Sequence, residues 1–347
     1  MPFPATDSRL ELLSDWLKSL EGRFALELGS VAVASSDASF RRYFRVATRD
    51  SQIPSFIVMD APPEHEPCQP FIRAATLLSR ARVSVPHVLA KDVTRGFLLL
   101  TDLGTRTYLS ELGRENARDL YGDAVGALLR IQSLRRPAWL PHYDDALLLR
   151  ELQLFPQWYV QRHIGHTLNA KEQGDLEATF HHLIARNLAE PQVVVHRDYH
   201  SRNLMILDDP MEHGNPGILD FQDAVFGPQT YDLVSLLRDA YIDWEEEAVL
   251  DWVVRYWELA RLHGHEVAAD FAEFWQNFEW MGLQRHLKVL GIFARLYHRD
   301  GKDGYLKELP RVVGYARAVA GRYRVFTPLL RLFDALEGRE AAFGYTF

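Results

Sequence analysis

The segment that most constrains this chain is VVVHRDYHSRNLMIL, residues 193–207. Three β-branched apolar residues predict a buried strand, and the apolar run that closes the segment predicts a second one. Between them stand His196, Asp198 and Asn203, where a plain connecting loop would use Gly, Asn or Pro. A loop that holds so many polar side chains between two buried strands indicates chemistry at this position.

A second candidate carboxylate follows in GILDFQD, where the apolar residues Ile218 and Leu219 directly precede Asp220. Phosphoryl transfer requires one carboxylate that accepts or orients the proton of the attacking hydroxyl. It also requires a carboxylate and an amide oxygen that hold Mg²⁺ against the phosphates, since magnesium prefers oxygen ligands and takes few of them from protein. The order His196-x-Asp198-x-x-x-x-Asn203 and then Asp220 therefore predicts magnesium-dependent phosphoryl transfer.

Simpler interpretations of these residues stay open at this point. Asp198 could be a turn residue, since Asp favours turns, and Asp220 could cap a later helix. His196 and His200 could bind a metal at i, i+4, but that arrangement needs a helix where the flanking segments predict strands. We interpret His196 as structural, fixing the loop and packing near Phe221.

The remaining pattern predicts two lobes, because 347 residues exceed what one compact core usually holds. Strands are predicted over residues 24–35, 40–48, 55–60, 87–92 and 96–104, and helices over 70–81, 108–134, 145–164 and 170–189. We predict an α+β, bilobal fold with a β-rich N-lobe over residues 1–102 and a mainly helical C-lobe over residues 103–347. The hinge is expected near Asp102.

Composition argues against several classes of protein. The net charge is −8 with both signs mixed along the chain, whereas a nucleic-acid binder normally shows a basic face. No apolar run is long enough to span a bilayer, and the N-terminal residues lack the basic and apolar pattern of a secretory signal, so we expect none. The single cysteine, Cys68, suits a reducing compartment. We expect a cytoplasmic monomer that binds small molecules and neither nucleic acid nor a membrane.

The string HRDYHSRN, with LDFQD downstream, resembles the catalytic and metal motifs of aminoglycoside phosphotransferases and choline kinases. That group has the protein-kinase-like bilobal fold. The resemblance implies ATP and Mg²⁺ as cofactors, Asp198 as the catalytic base, and Asn203 and Asp220 as the magnesium ligands. YDLVSLLRD is also similar to a family element, in which Asp232 would hydrogen-bond to the catalytic loop and begin a core helix. A simple helix N-cap is the alternative for Asp232.

One branch of the family matches more closely, through SDASFRRYFRV, FIVMDAPPE, LLLTDLG and ILDFQDAVFGPQTYDL. Its members are bacterial kinases of peptidoglycan recycling that phosphorylate the anomeric hydroxyl of N-acetylmuramate and N-acetylglucosamine, and the resemblance implies the same reaction here. The alternatives are phosphotransfer to an aminoglycoside, choline or homoserine, and a pseudokinase-like binding protein. An aminoglycoside pocket would be lined with carboxylates, and the arginine-rich helices argue against it.

The chain departs from the protein-kinase pattern at the strand lysine, which pairs with a helix glutamate. Met59 stands at the lysine position, and the helix that follows offers no glutamate. We expect Arg41 or Arg42 to contact the nucleotide phosphates instead, with a solvated strand face as the alternative. Only one of them can face the nucleotide, because strand side chains alternate. We favour Arg41, since Phe40 and Phe44 share the face of Arg42 and look core-facing.

The expected phosphate loop carries serines in place of glycines. Small hydroxyl side chains at Ser36 and Ser39 can let the backbone approach a phosphate and can donate to it, with less backbone freedom than glycine gives. Adenine is expected against the hinge, bonded by groups of Thr101, Asp102 and Leu103, by analogy with the family.

The sugar pocket is expected in the helical lobe, facing the catalytic carboxylate. Aromatic faces stack on sugar rings, and arginine forks bind carboxylates such as the lactyl group of N-acetylmuramate. Core or surface packing is the alternative for each candidate outside the motifs. The candidates are Asp198, Arg202, Gln222 and Asp223 from the motif loops and Trp158, Arg162 and Arg285 from helices.

Overall fold

The computed structural model describes residues 7–36, 40–207 and 213–339, and the chain divides into two compact units. The first unit comprises Met1–Thr107 and Leu204–Asp223, and the second comprises Tyr108–Asn203 and Ala224–Phe347. A segment from the middle of the chain thus folds with the N-terminal residues. The division of roles between residues 1–102 and 103–347 stays a prediction.

Strands and helices are numbered in chain order. The strands are β1 (Ala32–Ser36), β2 (Arg42–Ala47), β3 (Ser55–Asp60), β4 (Val88–Asp92), β5 (Phe97–Thr101), β6 (Gln192–Val195), β7 (Leu204–Met205), β8 (Gly217–Ile218) and β9 (Val225–Pro228). The α-helices are α1 (Ser8–Phe24), α2 (Cys68–Ser79), α3 (Tyr108–Glu111), α4 (Ala117–Gln132), α5 (Asp145–Leu152), α6 (Ala170–Leu188), α7 (Thr230–Leu237), α8 (Glu246–Leu262), α9 (Phe271–Asp300), α10 (Leu309–Arg322) and α11 (Thr327–Leu336). A wider, π-type helix, Phe155–Ile164, lies between α5 and α6.

A five-stranded antiparallel sheet in the order β1-β2-β3-β5-β4 forms the frame of the first unit. Phe44 and Val46 of β2 are buried and alternate with more exposed neighbours, so one face of the sheet is apolar. Leu13 and Leu17 of α1 pack on that face. The inward orientation predicted for Phe44 is confirmed. The same prediction for Phe40 is wrong, because Phe40 lies before the strand begins and is 64% exposed.

Three predicted elements clearly differ from those in the structure. The helix expected over residues 145–164 is divided into α5 and the π-type helix. The strand expected over residues 24–35 is shorter, because α1 continues to its first residue and a short 3-10 helix, Leu28–Ser30, precedes β1. The helix expected over residues 108–134 is interrupted between α3 and α4. There the Asn116 side-chain oxygen accepts a hydrogen bond from the backbone N–H of Gly113 at 2.8 Å. Such local side-chain bonds compete with the helical hydrogen-bond ladder.

The 30-residue helix α9 runs through the core of the second unit. It packs against the π-type helix and against α6, α7 and α10, with Leu287, Leu290 and Phe293 turned into the apolar core. A helix with apolar residues on several faces is expected where it is covered on several sides. None of the helices in the described ranges is long and apolar enough to cross a membrane.

Gly291 marks a close approach within this packing. A Cβ atom at Gly291 would lie 2.4 Å from the backbone carbonyl carbon of Leu154 and 2.5 Å from its oxygen. Gly282 lies in the same helix, but a Cβ atom there would meet no atom closer than 3.8 Å. The absence of a side chain is therefore a packing requirement at Gly291 and not at Gly282.

Gly291→Ala is expected to lower the free energy of unfolding by about 1–3 kcal/mol, because the added methyl group forces the α9 contact apart. Gly282→Ala is the matched control and is expected to raise it by about 0.5–1 kcal/mol, as alanine does in a helix interior. Urea denaturation of both variants measures the difference. Equal stability of the two variants would show that α9 does not pack as described.

Candidate active site

The loop that carries the HRD sequence begins where β6 ends. Val194 and Val195 are fully buried, and β6 pairs with β9 in antiparallel register. The two strands predicted around the loop are confirmed as β6 and β7. Residues 196–203, called the HRD loop from here on, connect them without forming a helix.

The start of the HRD loop is held by one buried carboxylate. Asp232, in the first turn of α7, is fully buried. Its Oδ2 accepts a hydrogen bond from the backbone N–H of His196 at 2.6 Å, and its Oδ1 accepts one from that of Arg197 at 2.9 Å. The role predicted for Asp232 is thereby confirmed. Arg197 has a φ of +78°, an unusual conformation for a residue other than glycine, so its backbone needs such support.

Asp198 follows this supported turn and is partly exposed. Its backbone N–H donates to Nδ1 of His196 at 3.2 Å, which agrees with the structural role predicted for that histidine. Its backbone carbonyl accepts a hydrogen bond from Nδ2 of Asn203 at 3.0 Å. Because the amide nitrogen of Asn203 points to the loop, its amide oxygen is the end of the side chain that suits a hard cation.

Positive side chains of the second unit surround Asp198. Burial opposes the ionisation of its carboxyl, but Lys288, His200 and Arg285 act in the opposite direction and hold its pKa below the usual value. Burial also lowers the pKa of His200, and Arg197 adds to the effect of Lys288 and Arg285 on the pKa of Asp198. Asp198 is therefore ionised near neutral pH, as a proton acceptor must be.

Two of the neighbouring cations share one buried carboxylate. An Oε1 atom of Glu151 lies 2.5 Å from Nη2 of Arg197 and 3.2 Å from Nζ of Lys288. Lys288 also donates to the hydroxyl of Tyr231 at 2.9 Å. Pairing avoids the large cost of an isolated buried charge. Sequence reasoning missed both Lys288 and Glu151. The only signal for Lys288 is an ionisable residue between apolar neighbours in a helical pattern, and Glu151 follows Arg150 and gives no such signal.

Asp220 lies in the first unit, just after β8. Its φ is +63°, in the left-handed region that Asp tolerates better than most residues. Its Oδ1 accepts a hydrogen bond from Nε2 of Gln222 at 2.6 Å. The next residue, Phe221, is fully buried, with its ring 4.9 Å from that of Phe71, while Asp223 is exposed. Asp220 caps no helix, since α7 begins well downstream, so that alternative is wrong.

The arginines expected to replace the strand lysine have different partners. Nη2 of Arg42 lies 2.5 Å from Oδ2 of Asp60, a fully buried carboxylate. Nε of Arg41 lies 2.7 Å from Oε2 of Glu66. Met59 is fully buried, so the position of the kinase lysine belongs to the apolar core here.

The two strands expected on either side of the phosphate loop are present as the antiparallel pair β1 and β2, and residues 37–39 between them lie outside the described ranges. Ser36 ends β1 and is paired with Arg42 across the sheet. Ser39 lies outside the described residues. The roles predicted for both serines stay predictions.

The residues expected at the hinge are engaged in different ways. The backbone N–H of Thr101 donates to the carbonyl of His87 at 3.1 Å, and its Oγ1 accepts from the N–H of His87 at 2.9 Å. The carboxylate of Asp102 is bound by Arg45, with an Nη2–Oδ1 distance of 3.0 Å. Leu103 belongs to a small apolar cluster of the first unit. The cluster consists of Leu103, Met205 and Leu207, with Leu219 packed against it.

Two arginines predicted to bind sugar lie in contrasting surroundings in the second unit. Arg202, in the HRD loop, has its guanidinium 4.9 Å from the ring centre of Tyr241 and 5.8 Å from that of Tyr305. Arg285, on α9, is only 4% exposed. Its Nε and Nη1 have no hydrogen-bond partner among the described residues. A buried guanidinium in this condition calls for an explanation, and an anionic ligand would provide one.

Trp158 and Arg162 both lie on the π-type helix. Trp158 packs against the apolar core of the second unit, which was its alternative interpretation. Arg162 is exposed. Contact of either residue with a sugar stays a prediction.

The alternative of a two-histidine metal site finds no support. It needs His196 and His200 on a helix, and the HRD loop is not helical. Within the described ranges, no group of three or more His, Cys, Asp or Glu side chains is arranged to hold a metal ion. A magnesium site does not require such a group of protein side chains, because water and phosphates supply most of the oxygen ligands of Mg²⁺.

The fold and the HRD loop are those of a phosphotransferase. The family model described as the phosphotransferase enzyme family matches residues 30–275, and the chain belongs to that family. The predicted enzyme class is thereby confirmed.

Close relatives carry one name. A protein from Pseudomonas putida is 48% identical over 341 residues, covering 96% of this chain and 98% of its own. One from Neisseria meningitidis is 46% identical over 340 residues, with the same 96% and 98% coverage. One from Pseudomonas aeruginosa is 44% identical over 343 residues, covering 96% and 99%. Each is named N-acetylmuramate/N-acetylglucosamine kinase.

Solved structures of low sequence identity share the fold. A choline/ethanolamine kinase family protein from Mesorhizobium loti matches with a TM-score of 0.60 at 13% identity, covering 93% of this chain and 98% of its own. The ADP-bound aminoglycoside phosphotransferase APH(2'')-Ib matches with a TM-score of 0.55 at 13% identity, covering 87% and 97%. The predicted α+β, protein-kinase-like fold class is confirmed by these neighbours, by the five-stranded sheet and by the helical part.

Lys288→Met is expected to move the acid limb of the kcat–pH profile to higher pH. The wild-type carboxyl of Asp198 has a lowered pKa, so it stays ionised until the pH falls through that low value. Without the charge of Lys288 the pKa of Asp198 rises, and the proton acceptor is lost earlier on acidification. Lys307→Met, at a side chain that is 79% exposed, is the control. Superimposable acid limbs for wild type and Lys288→Met would contradict this role.

Proposed function

We propose that this chain is an ATP-dependent kinase that phosphorylates the anomeric hydroxyl of N-acetylmuramate and N-acetylglucosamine in cell-wall recycling. The observation that carries the proposal is 44–48% identity, over 96% of the chain, to proteins named for these two substrates. The HRD loop supports it with an ionised and partly exposed carboxylate at the position where the family's motif has its base.

Asp198 accepts the proton of the anomeric hydroxyl as the phosphoryl group is transferred. The hydrogen bonds from Asn203 and to His196 fix the backbone on which its carboxylate stands. The charges of Lys288 and Arg285 keep the carboxylate ionised before the transfer. The carboxyl of Asp198 holds this proton weakly, because its pKa is below the usual value. Asp198 can therefore release the proton to water after the product leaves.

Asn203 and Asp220 are the magnesium ligands in this proposal. Both offer oxygen atoms, and the contacts of their side chains fit the role. The amide nitrogen of Asn203 is directed to the carbonyl of Asp198, and the carboxylate of Asp220 is oriented by Gln222. Magnesium, when bound, neutralises negative charge on the phosphates, and few protein ligands suffice because phosphates and water supply the rest.

Residues 1–102 bind the nucleotide in this proposal. The backbone N–H of Thr101 is already bonded within the first unit, so Asp102 and Leu103 carry the main contacts to adenine. The apolar cluster around Leu103 offers a surface for the adenine ring. The groups assigned to the nucleotide are Ser36, Ser39 and Arg41 at the phosphates and Thr101, Asp102 and Leu103 at the base.

Residues 103–347 carry the catalytic loop, the metal site and the sugar pocket. Arg285 is the best candidate for the lactyl carboxylate of N-acetylmuramate, because it is buried with two nitrogens unpaired among the described residues. The other groups assigned to the sugar are Asp198, Arg202, Gln222, Asp223, Trp158 and Arg162. The expectation of a cytoplasmic monomer stays a prediction.

Asp198→Asn is expected to lower kcat about 10²–10⁴-fold, because a positioned proton acceptor is lost while the shape of the side chain is kept. ADP release is measured with N-acetylmuramate, N-acetylglucosamine, choline, homoserine and kanamycin as acceptors. Calorimetric ATP binding is the control and should stay close to that of the wild type.

Two results would contradict the proposal. One is a wild-type preference for choline, homoserine or kanamycin over both amino sugars, which would reassign the acceptor. The other is a fall of less than tenfold in kcat for Asp198→Asn, which would remove Asp198 from the proposed role.

A further inference from the structure

One carboxylate holds two consecutive residues at the start of β2. Oε2 of Glu66 lies 2.7 Å from Nε of Arg41, and its Oε1 accepts a hydrogen bond from the backbone N–H of Phe40 at 3.0 Å. The side chains of Arg41 and Glu66 are only 12% and 17% exposed, so water screens this pair far less than a surface ion pair. Glu66 thus contacts both the backbone and the charged side chain of the two residues just before β2.

A ring contact reinforces the same attachment. The rings of Phe40 and His65 are stacked with their centres 4.6 Å apart. The segment that presents His65 and Glu66 is itself ordered, because both backbone N–H groups donate to the carbonyl of Pro62, at 3.0 and 2.8 Å. Two adjacent residues before α2 therefore meet two adjacent residues before β2, and the contact is not that of a single mobile side chain.

The neighbouring arginines of β2 have other partners. Arg42 is bound by Asp60, and Arg45 by Asp102. Arg42 also pairs with Asp7, and it shares Asp60 with Arg9. Of the carboxylates that pair with Arg41, Arg42 and Arg45 in these contacts, only that of Glu66 lies in the segment leading into α2. In protein kinases the strand lysine pairs with a glutamate of the helix that follows. Here Arg41 and Glu66 also form a cation–carboxylate pair, but neither residue stands at the position of the kinase lysine or glutamate. Met59, at the lysine position, is buried in the core.

We propose that Glu66 is a positioning residue that holds Arg41 toward the nucleotide phosphates and so replaces the missing lysine–glutamate pair. The inference rests on the proposed ATP-dependent function. An ion pair at Nε restricts where the guanidinium can lie, and a planar guanidinium that is held in place is well suited to bidentate recognition of phosphate oxygens. Sequence reasoning looked for the glutamate inside the helix and missed it, because Glu66 stands just before α2.

The test measures nucleotide binding without sugar, by calorimetry with ADP and Mg²⁺, followed by steady-state kinetics. The variants are Glu66→Gln, Arg41→Ala and the double variant. Glu64→Gln is the matched control, since it makes the same change of charge two residues away at an exposed position. Glu66→Gln is expected to raise the Kd for ADP and the KM for ATP about fivefold or more, with the KM for sugar unchanged within about twofold.

The double variant separates positioning from an independent contact. If Glu66 acts through Arg41, the double variant binds ADP no more weakly than Arg41→Ala alone, within about twofold. If the two single effects multiply in the double variant, the inference is overturned. It is also overturned if Glu66→Gln binds ADP as the wild type does, or more tightly, since Glu66 would then be neutral or a competitor for Arg41.

Stability and acceptor identity are controlled separately. If Glu66→Gln does not fold at the assay temperature, Glu66→Asp carries the same comparison, because it keeps the charge and shortens the reach. A wrong sugar assignment would appear in the wild type, as nucleotide binding without phosphorylation of amino sugars. A wrong positioning role would appear only in the variants. A wild-type protein that bound no ADP would overturn both.

Discussion

The pair of hydrogen bonds from the His196 and Arg197 backbone to Asp232 is the interaction on which the rest of the site depends. Arg197 has a left-handed backbone, and a buried carboxylate that accepts two amide hydrogens over-determines that conformation. The turn so fixed sets the direction in which Asp198 leaves the strand. It also allows the side chain of Asn203 to reach back to the carbonyl of Asp198, which closes the HRD loop on itself.

Charge balance around that loop follows from the same arrangement. Asp198 would resist ionisation in a partly buried position, and the cations on α9 and in the loop reverse this tendency. Those cations are themselves costly to bury, and Glu151 offsets the cost by pairing with both Arg197 and Lys288. Charges are paired in the first unit as well. Glu66 pairs with Arg41, just before β2, and Asp60 pairs with Arg42, the first residue of β2.

Sequence reasoning succeeded where the signal is local. The strands around the HRD loop, the α+β fold class and the role of Asp232 each depend on a short string of residues. It failed where partners are distant: Glu66 is 25 positions from Arg41, and Lys288 lies more than a hundred residues from Glu151. No hydrophobic periodicity in the sequence predicts such long-range ion pairs. The predicted boundary of β1 was also wrong, because α1 and a 3-10 helix occupy its first residues, and Phe40 stacks on His65 outside the sheet.

We propose that the enzyme transfers a phosphoryl group to the anomeric hydroxyl of an N-acetylated amino sugar. The most direct measurement is phosphorus and proton nuclear magnetic resonance on the product formed from ATP and N-acetylglucosamine. The account predicts a single phosphomonoester whose phosphorus is coupled to the H-1 proton of the sugar. Coupling to the H-6 protons, or inorganic phosphate formed beside unmodified sugar, would contradict it.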